Sequence, residues 1–204
     1  MTLLRDTMEI VLVSTNLHKW REFKDMFKTL SHLELISLHQ FHHYVAPEES
    51  GSTFKENAVL KAEYAAKSLG KWVLADDSGL VVPALRGEPG VYSRRYAGAH
   101  ATDMENCEKL LYAMKNLHED QRTAYFECAL AIAAPDGLKK CVQGICEGSI
   151  ASAPSGRYGF GYDPLFIKTD YEKTFAEMDE TIKNRISHRR KAFERLQSFL
   201  DTLH

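Results

Sequence analysis

Short apolar runs alternate with segments of helical spacing through the first half of the chain. Residues 9–13 (EIVLV) form a β-branched run, and from Lys19 onward apolar side chains recur every three or four positions. Residues 33–38 resemble a second strand, and Thr53 begins a capping box that opens an alanine-rich helix ending at Leu69. The order strand, helix, strand, helix predicts an α/β fold.

An acidic pair, Asp76 and Asp77, lies between apolar runs at residues 72–75 and 80–85. A buried strand is an apolar run bounded by turn residues, so the pair is predicted to lie at the end of a strand. A strand end is a suitable location for a functional site. A second capping box at Thr102 predicts another helix with a structural role.

The second half of the chain contains a hairpin pattern. Residues 124–134 and 138–150 flank the turn tripeptide Pro135-Asp136-Gly137, and after a glycine-rich loop Ser187 opens a last helix. The sheet should therefore be mixed, with an antiparallel part. We expect a single domain over residues 1–204. An arrangement of two lobes around a cleft would suit this domain, although no linker marks a boundary between the lobes.

Charge and hydropathy restrict the class of protein. The formal charge of −2 and the pI near 6.5 argue against a broad basic face for nucleic acid or anionic membrane, so any anion site is local. The longest apolar runs are too short to span a bilayer, and Arg5 and Asp6 interrupt the start of the chain, which therefore lacks the pattern of a secretory signal. We expect a cytoplasmic protein whose cysteines are structural thiols: Cys107, Cys128, Cys141 and Cys146.

Two acidic dipeptides provide candidate metal ligands. Glu48-Glu49 and Asp76-Asp77 offer the carboxylate oxygens that Mg²⁺ takes alongside water and substrate phosphates. Adjacent strand residues point to opposite faces, so one aspartate should enter the site while the other anchors the chain. Solvated surface is the alternative interpretation of both dipeptides.

The segment Ser14-Thr15-Asn16 lies between a strand and a helix start. Backbone amides and the helix dipole favour an anion at such a position, and Lys19 adds positive charge one turn later. The spacing of a Walker A loop is absent. An ordinary asparagine N-cap explains the segment equally well.

Aromatic residues and donors are candidates for binding a base. The loop Phe160-Gly161-Tyr162-Asp163-Pro164 combines rings with glycines, so it fits either a stacking platform for a purine or an aromatic-stabilised turn. His188 and Arg189 lie at a helix start, where the helix dipole disfavours cations. This unfavourable placement indicates that the two residues have a functional role. Donors there suit a purine with oxygen at C6, which offers acceptors at O6 and N7.

Six sequence blocks together resemble the inosine triphosphate pyrophosphatase family, the non-canonical purine nucleoside triphosphate pyrophosphatases. In order, the blocks are residues 14–19 (STNLHK) with Glu22, 48–54 (EESGSTF) with 56–58 (ENA) and 61–62 (KA), 75–80 (ADDSGL), 89–93 (PGVYS) with 95–96 (RY), 159–164 (GFGYDP), and 183–184 (KN) with 186–189 (ISHR). Any one block is weak, but six in order over nearly the whole chain are specific. The resemblance implies an elongated mixed sheet with flanking helices, two lobes around a central nucleotide cleft, a homodimer and a requirement for Mg²⁺.

The resemblance also implies roles for individual residues. Glu48 and Asp77 would be metal-linked carboxylates, and Asp77 also the catalytic proton acceptor. Lys183 would be a further substrate contact, and Ser78 would lie beside the phosphates. The triphosphate loop would comprise Ser14, Thr15, Asn16, Leu17, His18 and Lys19. The base-binding elements would comprise Phe160, Gly161, Tyr162, Asp163, His188 and Arg189.

The implied reaction is hydrolysis of inosine, deoxyinosine and xanthosine triphosphates (ITP, dITP, XTP) to the monophosphate and pyrophosphate, which cleanses the nucleotide pool. In it, Asp77 helps to activate a water that attacks the α-phosphorus, and Lys19 and Lys183 stabilise phosphate charge. Two alternatives stay open: a house-cleaning pyrophosphatase directed to pyrimidine nucleotides, and a non-catalytic sensor of purine nucleotides.

Overall fold

Six strands form one sheet in the computed structural model, which describes residues 7–203. The charged start of the chain at Arg5 and Asp6 lies outside the described residues. The strands are β1 (Met8–Val13), β2 (Leu33–Ser37), β3 (Val73–Val81), β4 (Thr123–Ala134), β5 (Gly137–Ile150) and β6 (Phe166–Lys168). Their order across the sheet is β2-β1-β3-β4-β5-β6.

Five α-helices accompany the sheet within residues 7–203. They are α1 (Leu17–Phe27), α2 (Phe54–Leu69), α3 (Asp103–Ala113), α4 (Glu180–Ile186) and α5 (His188–Leu200). Helices α1, α2, α3 and α5 match the predicted helices. In this part of the chain, no helix combines the length and apolar character that crossing a membrane requires.

The sheet is mixed, as predicted. Strand β1 pairs in parallel with both β2 and β3, so that Leu12 has Ser37 as its partner on one side and Leu74 on the other. Strands β4 and β5 are neighbours joined by the two-residue turn at Pro135-Asp136, a connection that only an antiparallel hairpin allows. Strand β6 then pairs antiparallel with β5.

Strand β3 differs from its prediction. The apolar run was expected to end at the acidic pair, yet β3 continues as one nine-residue strand through Asp76 and Asp77 to Val81. A strand interior tolerates these carboxylates because lysine side chains neutralise both of them. The interpretation of the pair as a strand end is therefore wrong, and the pair lies within a buried strand.

The chain divides into two compact units. The first contains residues up to Asp77, Ala129–Gln143 and the residues from Ala192 onward, and the second contains Ser78–Cys128 and Gly144–Lys191. In the first unit the buried strand β1 and the alanines of α2 contribute to the core, and Phe27 packs on Phe193 with ring centroids 5.6 Å apart. The core of the second unit includes the ring cluster Phe126, Phe166 and Phe175.

Candidate active site

The turn after β1 starts helix α1 in the first unit. The Asn16 Oδ1 atom accepts hydrogen bonds from the amides of His18 (2.8 Å) and Lys19 (3.2 Å), and the Ser14 hydroxyl accepts one from the Asn16 amide (3.2 Å). Three predicted phosphate contacts of this turn are exposed: Thr15, Leu17 and His18. The N-cap interpretation of Asn16 is confirmed, and phosphate binding by the turn stays a prediction.

Two ion pairs surround the acidic pair of β3. Lys19 Nζ donates to Asp76 Oδ2, and Lys61 Nζ donates to Asp77 Oδ1, each over 2.7 Å. The side chains of Asp76 and Asp77 are only 1% and 11% exposed. Consecutive strand residues point to opposite faces, so the two carboxylates are paired by lysines of different helices, α1 and α2.

Helix α2 connects Asp77 to the loop that precedes the helix. Asn57 and Lys61 are four residues apart, so they share one face of α2. Asn57 Nδ2 donates to Asp77 Oδ2 at 3.3 Å, while its Oδ1 accepts from the Gly51 amide at 2.8 Å. Lys61 Nζ also donates to Glu49 Oε1 at 3.1 Å. Three carboxylates therefore face two ammonium groups in this cluster, which we call the lysine–carboxylate cluster: Lys19, Glu49, Lys61, Asp76 and Asp77.

Burial and charge have opposing effects in this cluster. Burial raises the pKa of Asp77, and the nearby ammonium groups of Lys61 and Lys19 only partly offset this effect. Burial lowers the pKa of Lys61, but the carboxylates of Asp77, Asp76 and Glu49 outweigh it and raise that pKa above its ordinary value. Lys61 thus stays protonated, while Asp77 holds a proton more readily than an exposed aspartate does.

The carboxylates of this cluster fit a divalent cation. Oxygens of Asp77 and Glu49 converge on one cationic atom, Lys61 Nζ, and are the hard donors that Mg²⁺ prefers. Across residues 7–203, no group of three or more His, Cys, Asp or Glu side chains could hold a metal. One or two carboxylates with water and phosphates suffice for Mg²⁺. Glu48, the predicted ligand, is exposed, and its role stays a prediction.

In the second unit, cations surround the partly exposed ring of Phe160. Lys183 Nζ lies 4.7 Å from the centroid of that ring, and the Arg189 guanidinium carbon lies 5.9 Å from it. Lys183 also forms a buried ion pair with Asp163 Oδ2 at 2.5 Å, and the same oxygen accepts from the Phe160 amide at 2.8 Å. A Cβ atom at Gly159 would lie 2.0 Å from this oxygen, which explains the glycine.

The start of α5 contributes further donors. Ser187 caps the helix by accepting from the Arg190 amide at 3.2 Å, as the sequence predicted. Arg189 is buried and donates from Nη2 to the Ser78 hydroxyl at 3.1 Å. The His188 ring stacks on Phe126 with centroids 4.8 Å apart. The structure thus brings Arg189 and Ser78 together, whereas the His188 ring packs on an aromatic side chain of the core.

The two rings of the glycine-rich loop have different environments. Tyr162 is buried in the core of the second unit, and its hydroxyl donates to the Ser93 carbonyl at 2.8 Å. Phe160 keeps part of its surface exposed. Of the two aromatic candidates, Phe160 is therefore the one with surface available for stacking against a ligand, while Tyr162 anchors the loop.

Lys61 of the lysine–carboxylate cluster and Asn57, which donates to Asp77, were not among the predicted site residues, although both belong to the second matched block and lie on helix α2. Glu49, by contrast, was already a candidate metal ligand. The four-residue spacing of Asn57 and Lys61 on a helix with buried alanines was the available signal, because it places both polar side chains on one face.

These features define an α/β protein with the side chains needed to bind an aromatic, phosphorylated ligand. The chain belongs to the Ham1 family, whose model matches residues 10–199. It is similar to the dITP/XTP pyrophosphatase of Protochlamydia amoebophila (strain UWE25), with 66% identity over 96% of this chain and 99% of the relative. The dITP/XTP pyrophosphatase of Bacillus subtilis (strain 168) is 46% identical over 95% and 97% of the two chains.

A solved structure agrees with this membership. A HAM1 protein from Coxiella burnetii has 42% identity and a TM-score of 0.88, and the match covers 97% of this chain and 100% of that chain. The mixed α/β fold and the predicted resemblance to the non-canonical purine nucleotide pyrophosphatases are thereby confirmed.

Proposed function

We propose that this protein hydrolyses non-canonical purine nucleoside triphosphates, namely ITP, dITP and XTP, to the monophosphate and pyrophosphate. The observation that carries the proposal is the convergence of Asp77 and Glu49 on Lys61 Nζ, at 2.7 and 3.1 Å. Such a cluster holds carboxylates next to cations, as hydrolysis of a metal-bound polyphosphate requires. The names of the two pyrophosphatase relatives support the choice of substrate.

The lysine–carboxylate cluster and the turn at residues 14–19 are the proposed groups for the triphosphate. Lys19 and Lys61 stabilise negative charge on the phosphates, and the amides of the turn at residues 14–19 bind phosphate oxygens. Asp77 accepts a proton from the water that attacks the α-phosphorus, and pyrophosphate leaves.

We infer that Mg²⁺ is the cofactor, held by Asp77 with Glu48 or Glu49. When bound, it neutralises charge on the phosphate oxygens. Asp77 and Glu49 are already oriented toward a common cation, Lys61 Nζ. These two carboxylates would therefore hold the ion.

The residues around the Phe160 ring are the proposed groups for the base. The Phe160 ring stacks on the purine, and Lys183 and Arg189 lie beside that ring as donors. Donors favour an oxygen at C6 over the amino group of adenine, because the wrong base would leave buried polar groups without acceptors. His188 and Tyr162 complete the pocket, His188 through its ring nitrogens and Tyr162 by anchoring the loop.

The proposal includes a homodimer in the cytoplasm. All four cysteines are free thiols, the state that a reducing compartment maintains. Exposed apolar side chains in the second unit, among them Met104 (67%) and Tyr112 (70%), offer surface for association. Light scattering at several protein concentrations measures the assembly state, and a monomer at every concentration would reject the dimer.

A product assay tests the proposed reaction. We expect Mg²⁺-dependent release of pyrophosphate, and of no orthophosphate, from ITP, dITP and XTP, with ATP and the pyrimidine triphosphates hydrolysed poorly. Preference for a pyrimidine triphosphate would support the pyrimidine-directed alternative, and binding of ITP without product would support the sensor.

The catalytic role of Asp77 has its own test. Asp77→Asn should abolish turnover and leave the protein folded, because the amide keeps the shape but cannot accept the proton. Asp25→Asn is the matched control, since Asp25 is exposed and pairs with the exposed Lys28 in the same helical region. Turnover by Asp77→Asn at the control's rate would remove Asp77 from the role of base.

A further inference from the structure

The glycine-rich loop at residues 160–163, which we call the base loop, is bound by helix α3. Asp103 Oδ2 accepts a hydrogen bond from the Gly161 amide at 2.6 Å, and Cys107 Sγ donates to the Gly161 carbonyl at 3.5 Å. Asp103 and Cys107 are four residues apart and share one face of α3. One helix face therefore binds both polar backbone groups of a single loop residue.

The start of α3 is suited to hold this contact. A complete capping box, formed by Thr102 and Glu105, fixes the first turn. Asp103 lies in that turn, where the helix dipole favours a carboxylate, and a charged acceptor makes the stronger kind of hydrogen bond to an amide. Burial raises the pKa of Cys107 to about 12, with a contribution from the carboxylates of Asp103 and Asp163. Cys107 therefore stays a thiol and keeps its donor hydrogen.

The other residues of the base loop have anchors of their own. Phe160 donates its amide to Asp163, Asp163 pairs with Lys183, and Tyr162 donates its hydroxyl to Ser93. Gly161 carries no side chain, so its orientation depends on its backbone contacts. It also follows Phe160 directly in the chain, so the direction of the Gly161 peptide affects where the Phe160 ring lies.

We propose that Asp103 and Cys107 are positioning residues that determine affinity and selectivity for the base through Gly161. By holding both backbone groups of Gly161, they fix the Phe160 ring beside Lys183 and Arg189. Asp103 and Cys107 touch no reacting atom in this scheme. The inference rests on the proposed function, because the ligand of the Phe160 ring is taken to be the purine.

Kinetics of Asp103 variants test the positioning role. Asp103→Ala should raise KM for ITP by about tenfold, the consequence of losing one charge-assisted hydrogen bond, with kcat nearly unchanged. Loss of binding energy that is equal in the ground state and the transition state gives this pattern. Discrimination between ITP and ATP should fall as well, since a misplaced ring no longer aligns the base with its donors. Asp103→Asn keeps an acceptor oxygen and should restore most of the affinity.

A matched control separates positioning from helix stability. Glu105→Gln removes a carboxylate from the same first turn of α3 without touching Gly161, so it should leave KM and selectivity unchanged. Cys107→Ser keeps a donor and should behave like the parent protein, whereas Cys107→Ala should weaken ITP binding. Equal KM changes in Glu105→Gln and Asp103→Ala would overturn the proposal.

Amide hydrogen exchange provides a readout that needs no substrate. In the protein without nucleotide, exchange of the Gly161 amide should become faster in Asp103→Ala and stay slow in Glu105→Gln. Unchanged exchange in Asp103→Ala overturns the proposed positioning of Gly161 by Asp103 and Cys107, even if the enzyme is active. Faster exchange in a protein that releases no pyrophosphate from any nucleotide would instead reject the proposed function. The positioning of Gly161 by Asp103 and Cys107 would then still hold.

Discussion

Lys61 balances the charge of two carboxylates in the first unit. Its ammonium group contacts Asp77 and Glu49 at once, and its side chain is only 12% exposed. A buried ion pair contributes little by itself compared with apolar packing, but removal of one partner leaves the other charge buried without compensation. The effect of a substitution therefore depends on which partner is removed.

Lys61→Met should destabilise the protein by about 3–5 kcal/mol near neutral pH, the range for breaking a buried pair. The matched control is Lys71→Met, because Lys71 pairs with Glu9 at 2.6 Å but the two side chains are 39% and 48% exposed. That exposed pair should contribute at most about 1 kcal/mol. The free energy of unfolding in urea measures both changes, and equal losses would contradict the buried character of the Lys61 pair.

The loss in Lys61→Met should also depend on pH. Burial raises the pKa of Asp77 in the folded state above its ordinary value, and removal of Lys61 raises it further. The penalty is absent below the unfolded-state pKa, grows as the pH rises toward the folded-state pKa, and is complete above it, where the buried carboxylate is ionised. The destabilisation should therefore be larger at about pH 8 than at about pH 5. A larger loss at the lower pH would contradict this assignment.

At the scale of elements, helix α2 shows how local signals define a boundary. Thr53 caps the helix by accepting from the Glu56 amide at 3.1 Å, as predicted. The Glu56 carboxylate, however, accepts from the amide and hydroxyl of Ser52 instead of completing the box on Thr53. The helix ends at Gly70, whose φ of 64° lies in the left-handed region that favours glycine.

Gly70→Ala should cost about 1 kcal/mol of stability, because a side chain raises the energy of the left-handed conformation. A Cβ atom at Gly70 meets no other atom within 4 Å, so the cost is one of backbone conformation alone. Gly70→Asn is the matched variant, since asparagine tolerates this conformation better, and it should cost less. Urea unfolding ranks the two variants, and a greater loss for asparagine would refute the backbone explanation.

Long, periodic elements could be predicted from the sequence, whereas short ones could not. Strand β6 has three residues and helix α4 has seven, too few for a period to emerge, although Asp179 caps α4. The course of β3 through its acidic pair was missed for a different reason. Its carboxylates are neutralised by Lys19 and Lys61, and such partners depend on tertiary packing.

The candidate site could also be predicted only in part. Motif residues could be named from the sequence, and the structure places Phe160, Lys183 and Arg189 together. The partner of each lysine could not be named, because Lys19 is separated from Asp76 by 57 positions. Pairing over such a distance is decided by strand order, which local patterns do not contain.

At the scale of the whole molecule, the two compact units share strands. Strands β3, β4 and β5 each contribute residues to both units, since the divisions fall at Asp77, Cys128 and Gln143. Neither unit is therefore one uninterrupted segment of chain. Unfolding of one unit breaks strands that continue into the other.

A single cooperative transition should follow from these shared strands. Both tryptophans, Trp20 and Trp72, belong to the first unit, so tryptophan fluorescence reports on that unit, whereas far-ultraviolet circular dichroism reports on the whole chain. The two signals should give coincident urea unfolding curves. Curves with separate midpoints would show that the units unfold independently.

The packing of Phe193 on Phe27 affects the order in which a nascent chain can mature on the ribosome. Domains generally fold during translation from the N-terminus onward. The first unit draws its residues from three separate stretches, the last of which begins at Ala192. Its core stays incomplete until nearly the whole polypeptide has emerged, so the second unit, complete by Lys191, has all of its residues available first.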